Sequence, residues 1–289
     1  MIVSSNNRCT LEGILRKTTT VYSLPLFYER LNDAINDPRS SLPGIGKIIS
    51  EDQGLTARLL KLANSPLFGY HSKIDSISRA LALIGTQQVR DLALALSVME
   101  LFRGIPEDLI DLKSFWKHNI SCGIVARNIA KLRRETNQER FFVTGMMHDI
   151  GILLMAVAEP RVVTDILRRR RREEGLLFQV EKDVLDFDHA AVGGGLLRKW
   201  GFPESIAEPV KWHHKPRASA RYPLEAAVVH LADVICNGLE VNLASNWQVS
   251  PLDPVSWERL DISISQLENI VQQSELQMES TFAVLVEGS

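Results

Sequence analysis

The chain has 289 residues, of which 45% are hydrophobic, 24% charged and 7% aromatic, and this composition excludes disordered, fibrous and collagen-like chains. Lys plus Arg number 33 and Asp plus Glu number 35, which leaves a formal net charge of −2. A non-specific nucleic-acid binder normally carries a large basic excess, so we expect no direct nucleic-acid partner.

The first half of the chain predicts several short helices joined by tight turns. Apolar residues recur three and four positions apart from Pro43 to Met99, which is the pattern of amphipathic helices. Turn-forming residues interrupt the pattern, as at Asn64-Ser65-Pro66. Gly104 and Pro106 mark a break before the second half. We therefore expect an N-terminal extension over 1–21 and an N-terminal helical subdomain over 22–110.

The second half shows longer helical patterns, and we expect it to form a second subdomain over 111–289. The four strongest patterns are Phe115 to Leu132, Gln138 to Ala158, His189 to Trp200 and Leu224 to Leu239. A closing helix starts at Ser263, where Ser263 and Gln266 have capping-box spacing. Its expected packing face carries Leu267, Ile270, Val271 and Leu276. No segment shows the long alternation of a β-sheet, so we predict an all-α fold.

Targeting and thiol features point to a cytoplasmic protein without a membrane partner. No uninterrupted apolar run reaches the ~18 residues that span a bilayer, and the N-terminus lacks the order of a signal peptide. The cysteines Cys9, Cys122 and Cys236 have neither a disulfide framework nor metal-motif spacing. We interpret Cys122 and Cys236 as small core residues. The basic run Arg168 to Arg172 is interpreted as a solvated helix end.

The histidines are concentrated in the second half, because six of the seven lie between positions 118 and 230. His148 and Asp149 are adjacent within an otherwise apolar helical pattern. An ionised Asp buried there without a partner would cost several kcal/mol, so it should be paired, hydrogen-bonded or metal-bound. Helices packed as a bundle can direct distant side chains to one centre. The further candidate ligands are His118, His189, His213, His214 and Asp233.

Imidazole and carboxylate ligands suit iron, manganese, nickel or zinc. We expect one or two divalent ions, with iron favoured.

Two further features lie near these candidate ligands. His230 precedes Asp233 by three residues, and we interpret it as a residue that orients a ligand by hydrogen bonding. The triplet Gly193-Gly194-Gly195 lacks the context of a phosphate loop, so we attribute it to close helix packing beside the histidines.

The order His118, His148-Asp149, Asp233 resembles the H…HD…D signature of the HD superfamily of metal-dependent phosphohydrolases. His189 and His213-His214 resemble the extra ligands of its binuclear relatives, the HD-GYP phosphodiesterases of cyclic di-GMP. The wider sequence resembles a sister family, the HDOD domains, over about residues 22 to 285. The segments that carry this resemblance are Leu24-Pro25, Ile49 to Asp52, Leu55 to Ser65, Ile77 to Gly85, Phe187 to Gly193 and Leu197 to Pro203.

The resemblance implies a bacterial protein with an HD-like helical bundle, an N-terminal helical layer and a regulatory output role in signalling. Two departures from the phosphodiesterases weaken the expectation of catalysis. The lysine that usually follows their His-Asp-Ile-Gly motif is Ile152 here, which removes a cation suited to a phosphate oxygen. After His213-His214 the chain reads Lys215 to Ala218, without the Gly-Tyr-Pro loop associated with cyclic di-GMP.

Three functional hypotheses follow. We favour a non-catalytic signalling module that retains a metal site and binds a protein partner, with a nucleotide or phosphoester as a further candidate ligand. The alternative is a metal-dependent phosphohydrolase in which two metal ions activate a water for attack at phosphorus. Its first ion would be held by His118, His148, Asp149 and Asp233, and its second by His189, His213 and His214, with Asp149 bridging. The third hypothesis is a redox-active iron pair that acts as a sensor.

Overall fold

The computed structural model describes residues 9–21, 26–70, 72–107, 109–173, 175–239 and 249–287. Within these ranges the regular secondary structure is entirely helical, which confirms the all-α prediction. Leu24-Pro25, part of the family resemblance, lies outside the described residues.

The first half forms a layer of short helices, as the apolar pattern predicts. These helices are α1 (Leu11–Val21), α2 (Leu26–Asn36), α3 (Leu42–Ser50), α4 (Gln53–Ala63), α5 (Ile77–Ile84) and α6 (Thr86–Leu101). Ser41, Asp52 and Ser76 begin α3, α4 and α5, and each side chain accepts the backbone N–H three residues on. Such caps satisfy donors that the first helical turn leaves open. Ile49 and Leu55 are fully buried, which confirms that the predicted apolar face forms the core.

The second half contains ten further helices within the described residues. They are α7 (Leu112–Leu132), α8 (Gln138–Met147), α9 (Ile150–Ala158), α10 (Pro160–Glu173), α11 (Leu177–Leu185), α12 (His189–Lys199), α13 (Glu204–Trp212), α14 (Pro223–Gly238), α15 (Pro254–Leu260) and α16 (Ile264–Phe282). A 3-10 turn (Pro216–Ala218) lies between α13 and α14, and a π-helical turn (Ala283–Glu287) follows α16. The central α7 packs against α8, α14 and α16, and α12 packs against α9 and α13. Helix α1 also joins this half, because it packs on α9 and α12.

The stretch Gln138 to Ala158 is two helices, so the prediction of one continuous helix is wrong. The backbone N–H of Asp149 bonds to the side chain of Asn119 on α7 at 3.4 Å and not to its own helix. With this backbone N–H bonded to α7, α8 ends at Met147 and Asp149 lies immediately before α9. By length and composition the 21-residue stretch would suffice to cross a membrane, but 89% of its most apolar window is buried inside the fold. It therefore packs as a core element.

The closing helix α16 begins with the predicted capping box, in which Ser263 and Gln266 bond to each other's backbone. Ile270 is buried as expected, but Leu276 is 82% exposed, so its assignment to the packing face is wrong. The buried face continues instead through Ser274, which is fully buried. Residue 276 lies two positions further, about 200° around a helix of 3.6 residues per turn, and therefore faces the opposite side.

Two glycines allow the helices of the second half to approach at backbone distance. A Cβ on Gly145 of α8 would lie 2.7 Å from the carbonyl oxygen of Cys122 on α7. A Cβ on Gly194 of α12 would lie 2.6 Å from the Cβ of Lys211 on α13. The second contact confirms close packing as the role of the glycine triplet. These approaches bring the helices that carry the histidines against one another.

Candidate metal centre

The structure brings all seven predicted ligands into one cluster. His118 lies on α7, His148 and Asp149 lie at the α8–α9 break, His189 begins α12, His213 and His214 follow α13, and Asp233 lies on α14. All are buried apart from His214, which is half-buried. The close helix packing described above therefore gathers side chains that are more than 100 residues apart in the sequence.

Four residues form what we call the inner group: His118, Cys122, His148 and Asp233. Their donor atoms all lie within 4.8 Å of one another. The Oδ1 of Asp233 is 3.3 Å from the Nε2 of His118 and 3.7 Å from the Nε2 of His148. The Sγ of Cys122 is 3.6 Å from the Nε2 of His118. Cys122 is buried as expected, but it lies among the candidate ligands, so its interpretation as an ordinary core residue is incomplete.

The other four residues form the outer group: Asp149, His189, His213 and His214, whose donor atoms also lie within 4.8 Å of one another. The Oδ1 of Asp149 is 3.0 Å from the Nε2 of His189 and 3.6 Å from the Nε2 of His213. The same oxygen is 3.4 Å from the Nε2 of His148 in the inner group. Asp149 is thus positioned between the two groups, as a bridging carboxylate would be.

The protonation pattern of two histidines fits metal binding. The Nδ1 atoms of His148 and His213 each lie 2.7 Å from a backbone carbonyl, that of Gly145 and Val210 respectively, and they must donate to it. In the neutral ring this leaves the Nε2 lone pair directed into the cluster. Both Nε2 atoms are buried and make no hydrogen bond. Buried polar atoms are rarely left unpaired in native proteins, and a metal ion is the partner that suits these two nitrogens.

A carboxylate that sequence reasoning missed orients His189. The Oε2 of Glu181 on α11 accepts the Nδ1–H of His189 at 2.6 Å and the backbone N–H of the same residue at 2.8 Å. Ligating histidines in metalloproteins usually donate their second ring N–H to such a carboxylate. The only sequence signal was an acidic residue eight positions before a histidine, which is too common to be informative.

Two other residues support the cluster through hydrogen bonds. Asn237, which sequence reasoning also missed, donates to the Oδ1 of Asp233 at 2.6 Å from one turn further along α14. His230 donates from Nδ1 to the carbonyl oxygen of His213 at 2.8 Å and accepts from the backbone N–H of Asp253 at 3.0 Å. His230 therefore fixes the backbone that carries His213.

The charges within the cluster are strongly coupled. Burial opposes ionisation of Asp233, but the neighbouring imidazoles of His118 and His148 hold the pKa of this carboxyl well below its usual value. Burial also opposes protonation of His118, yet Asp233 raises the pKa of this imidazole to about 9. Burial and the neighbouring His148 lower the pKa of His213 to about 4. Asp233 and His213 therefore already hold, at neutral pH, the deprotonated forms that bind metals, and His118 would release a proton.

A small cavity adjoins the cluster. Its volume is about 70 Å³, and Ile152, Arg170 and Phe178 contribute to its wall beside the candidate ligands. Phe178 stacks on the ring of His214 with a centroid separation of 4.2 Å.

Arg171 and Arg172 are exposed at the end of α10, as predicted for the basic run. Arg170 is half-buried and lines the cavity, so the solvated interpretation is wrong for this residue.

Several solved structures share this fold. An HDOD domain protein of unknown function from Geobacter sulfurreducens has a TM-score of 0.69 and 24% identity, covering 95% of this chain and 96% of its own. A protein from Shewanella amazonensis, provisionally described as a phosphohydrolase, has a TM-score of 0.73 and 23% identity, covering 94% and 97%. A protein from Marinobacter aquaeolei, provisionally described as a signal transduction protein, has a TM-score of 0.73 and 16% identity, covering 99% and 62%. At these identities the likeness shows the fold alone.

Sequence comparison gives the family. An uncharacterized protein of Treponema pallidum is 25% identical over 279 residues, which are 93% of this chain and 52% of the relative. The chain thus spans about half the length of the curated relative that it matches. The family model of the HDOD domain matches residues 21–216, well over half of the chain and all of the candidate ligands except Asp233. On this match, and on the shared helical fold, the chain belongs to the HDOD domain family.

Proposed function

We propose that this chain is a regulatory HDOD module that binds one or two divalent metal ions in its His/Asp cluster and acts in signalling through a protein partner, without hydrolysing phosphoesters. In this proposal the 22–110 layer packs on residues 111–289, which hold the metal, and the whole binds the partner. Iron is the favoured metal, because seven of the eight donor residues offer an imidazole nitrogen or a carboxylate oxygen.

The size of the cavity carries the non-catalytic part of the proposal. A volume of about 70 Å³ accommodates roughly two waters at ~30 Å³ each. Small-molecule sites usually measure about 300–1,000 Å³, so the volume beside the cluster is small for a phosphodiester. Ile152 and Phe178 also give part of this wall an apolar surface.

The unsatisfied nitrogens of His148 and His213 support the metal part of the proposal. A bound cation would accept these lone pairs and compensate the charge of Asp149 and Asp233. Because the ligands come from several packed helices, metal occupancy would hold those helices in one arrangement. That arrangement is what a protein partner would recognise.

One observation favours the alternative, a metal-dependent phosphohydrolase. Arg170 lines the same cavity as Asp149 and Ile152. A guanidinium can hold two phosphate oxygens at once. Arg170 would then supply, from α10, the positive charge that Ile152 does not provide.

The first experiment is metal analysis of the purified, tag-free protein by plasma mass spectrometry. We expect one or two equivalents of a divalent transition metal in the unmodified protein and fewer in Asp149→Ala. Asp183→Ala is the matched control, because Asp183 is an exposed carboxylate, 63% accessible, on α11. Absence of bound metal after anaerobic reconstitution would refute the metal part of the proposal.

The second experiment is a hydrolysis assay of the metal-loaded protein with a panel of phosphomonoesters and phosphodiesters. We expect no metal-dependent turnover. Turnover that disappears in Asp149→Ala and decreases in Arg170→Met would instead establish the hydrolase.

A further inference from the structure

The inner group contains a thiol in addition to its nitrogen and oxygen donors. Cys122 follows His118 by one helical turn on α7, and residues four apart lie on the same helix face. Its Sγ is 3.6 Å from the Nε2 of His118 and belongs to the set of donors within 4.8 Å of one another. The side chain is fully buried, so no solvent competes for the sulfur.

Three of the six donor–donor distances in the inner group are close to those of a tetrahedral metal site. With metal–nitrogen and metal–oxygen bonds near 2.1 Å and a metal–sulfur bond near 2.3 Å, tetrahedral angles place N and O donors about 3.4 Å apart and N and S donors about 3.6 Å apart. His118 Nε2 is 3.3 Å from Asp233 Oδ1 and 3.6 Å from Cys122 Sγ. His148 Nε2 is 3.7 Å from Asp233 Oδ1.

An independent observation shows that one nitrogen of this group has no hydrogen-bond partner. The Nε2 of His148 is buried and makes no hydrogen bond, although its Nδ1 is bonded to Gly145. Its lone pair therefore faces the same space as the sulfur of Cys122.

We propose that Cys122 is a metal ligand and completes a closed His2AspCys site with His118, His148 and Asp233. This inference rests on the proposed metal-binding function and makes it more specific. Four protein ligands are typical of structural sites, whereas catalytic zinc sites retain an open position for water. The thiolate also favours zinc or iron over manganese, since sulfur is a soft donor.

The test is cobalt(II) titration of the metal-free full chain, followed by absorption spectroscopy. We expect a sulfur-to-cobalt charge-transfer band in the near ultraviolet for the unmodified protein, and its complete loss in Cys122→Ser. Cys9→Ser is the matched control and should retain the band. Cys9 is a half-buried cysteine that lies outside both ligand groups.

A measurement without substitution covers the case in which Cys122→Ser does not fold. X-ray absorption at the zinc edge of the zinc-loaded, unmodified protein should show a sulfur neighbour at about 2.3 Å. A first shell of nitrogen and oxygen alone overturns the thiolate ligand.

The outcomes separate this inference from the proposed function. Cobalt that binds without the sulfur band, or a band that persists in Cys122→Ser, overturns the role of Cys122 and leaves the metal-binding module intact. A protein that binds neither cobalt nor zinc overturns both.

Discussion

The two halves of the molecule bury charged side chains in different ways. In the N-terminal layer, Arg90 and Asp91 of α6 bond to each other, with the Arg90 Nε and Nη2 atoms 2.9 and 2.7 Å from the Asp91 Oδ1. In the second half, the cluster leaves the Nε2 atoms of His148 and His213 without a hydrogen bond. The first arrangement is complete within the protein, whereas the second leaves two buried nitrogens unbonded among the described residues.

This comparison separates a structural role from a binding role. A buried pair that satisfies itself contributes modestly to stability but becomes costly when one member is removed. Buried nitrogen lone pairs without a hydrogen bond lower the stability of the fold, and such unpaired groups are typical of binding sites. If the two roles are separate, a substitution that lowers the unfolding free energy need not change metal affinity, and the reverse.

The largest effect is expected from Asp91→Ala, which leaves the buried guanidinium of Arg90 unpaired. The side chains of this pair are only 8% and 5% exposed, and breaking such a pair costs about 3–5 kcal/mol. Chemical denaturation should show this loss of unfolding free energy. The double variant Arg90→Met with Asp91→Leu should recover most of it. A double variant as unstable as the single one would contradict the assignment.

An intermediate effect is expected from Glu181→Gln, which removes the charge that orients His189. Loss of such a supporting carboxylate typically lowers metal affinity about 10–100-fold, and competition with a chelator would measure it. Glu208→Gln is the control, because Glu208 is buried too but bonds to Ser219 and Arg221. Equal changes in both variants would show that the effect is structural.

The smallest effect is expected from Ser263→Ala at the start of α16. Loss of the capping side chain should lower the unfolding free energy by about 1 kcal/mol. Metal affinity should not change, because Ser263 is exposed and outside both ligand groups. A thermal melt and a metal titration check these two statements. Altered metal affinity would mean that the closing helix and the cluster are coupled.

The sequence predicted much of the fold because local pattern and core packing agree. Apolar residues at helical spacing, with Ser or Asp caps, gave the short helices of the first half. The prediction failed at two places. The helix over Gln138 to Ala158 breaks because Asn119, distant in sequence, takes the N–H of Asp149. Leu276 is exposed because nothing packs on that side of α16 among the described residues.

The sequence by itself determined the His and Asp members of the cluster, because buried ionisable side chains in apolar helices stand out from their surroundings. Only the tertiary structure decided that Cys122, Glu181 and Arg170 belong beside them. A cysteine, a glutamate and an arginine are ordinary at those positions, and nothing local distinguishes them. Their roles depend on distances between helices, which are set by backbone contacts such as that of Gly145 with Cys122. Chemistry that depends on neighbours remote in sequence becomes visible only when the chain is folded.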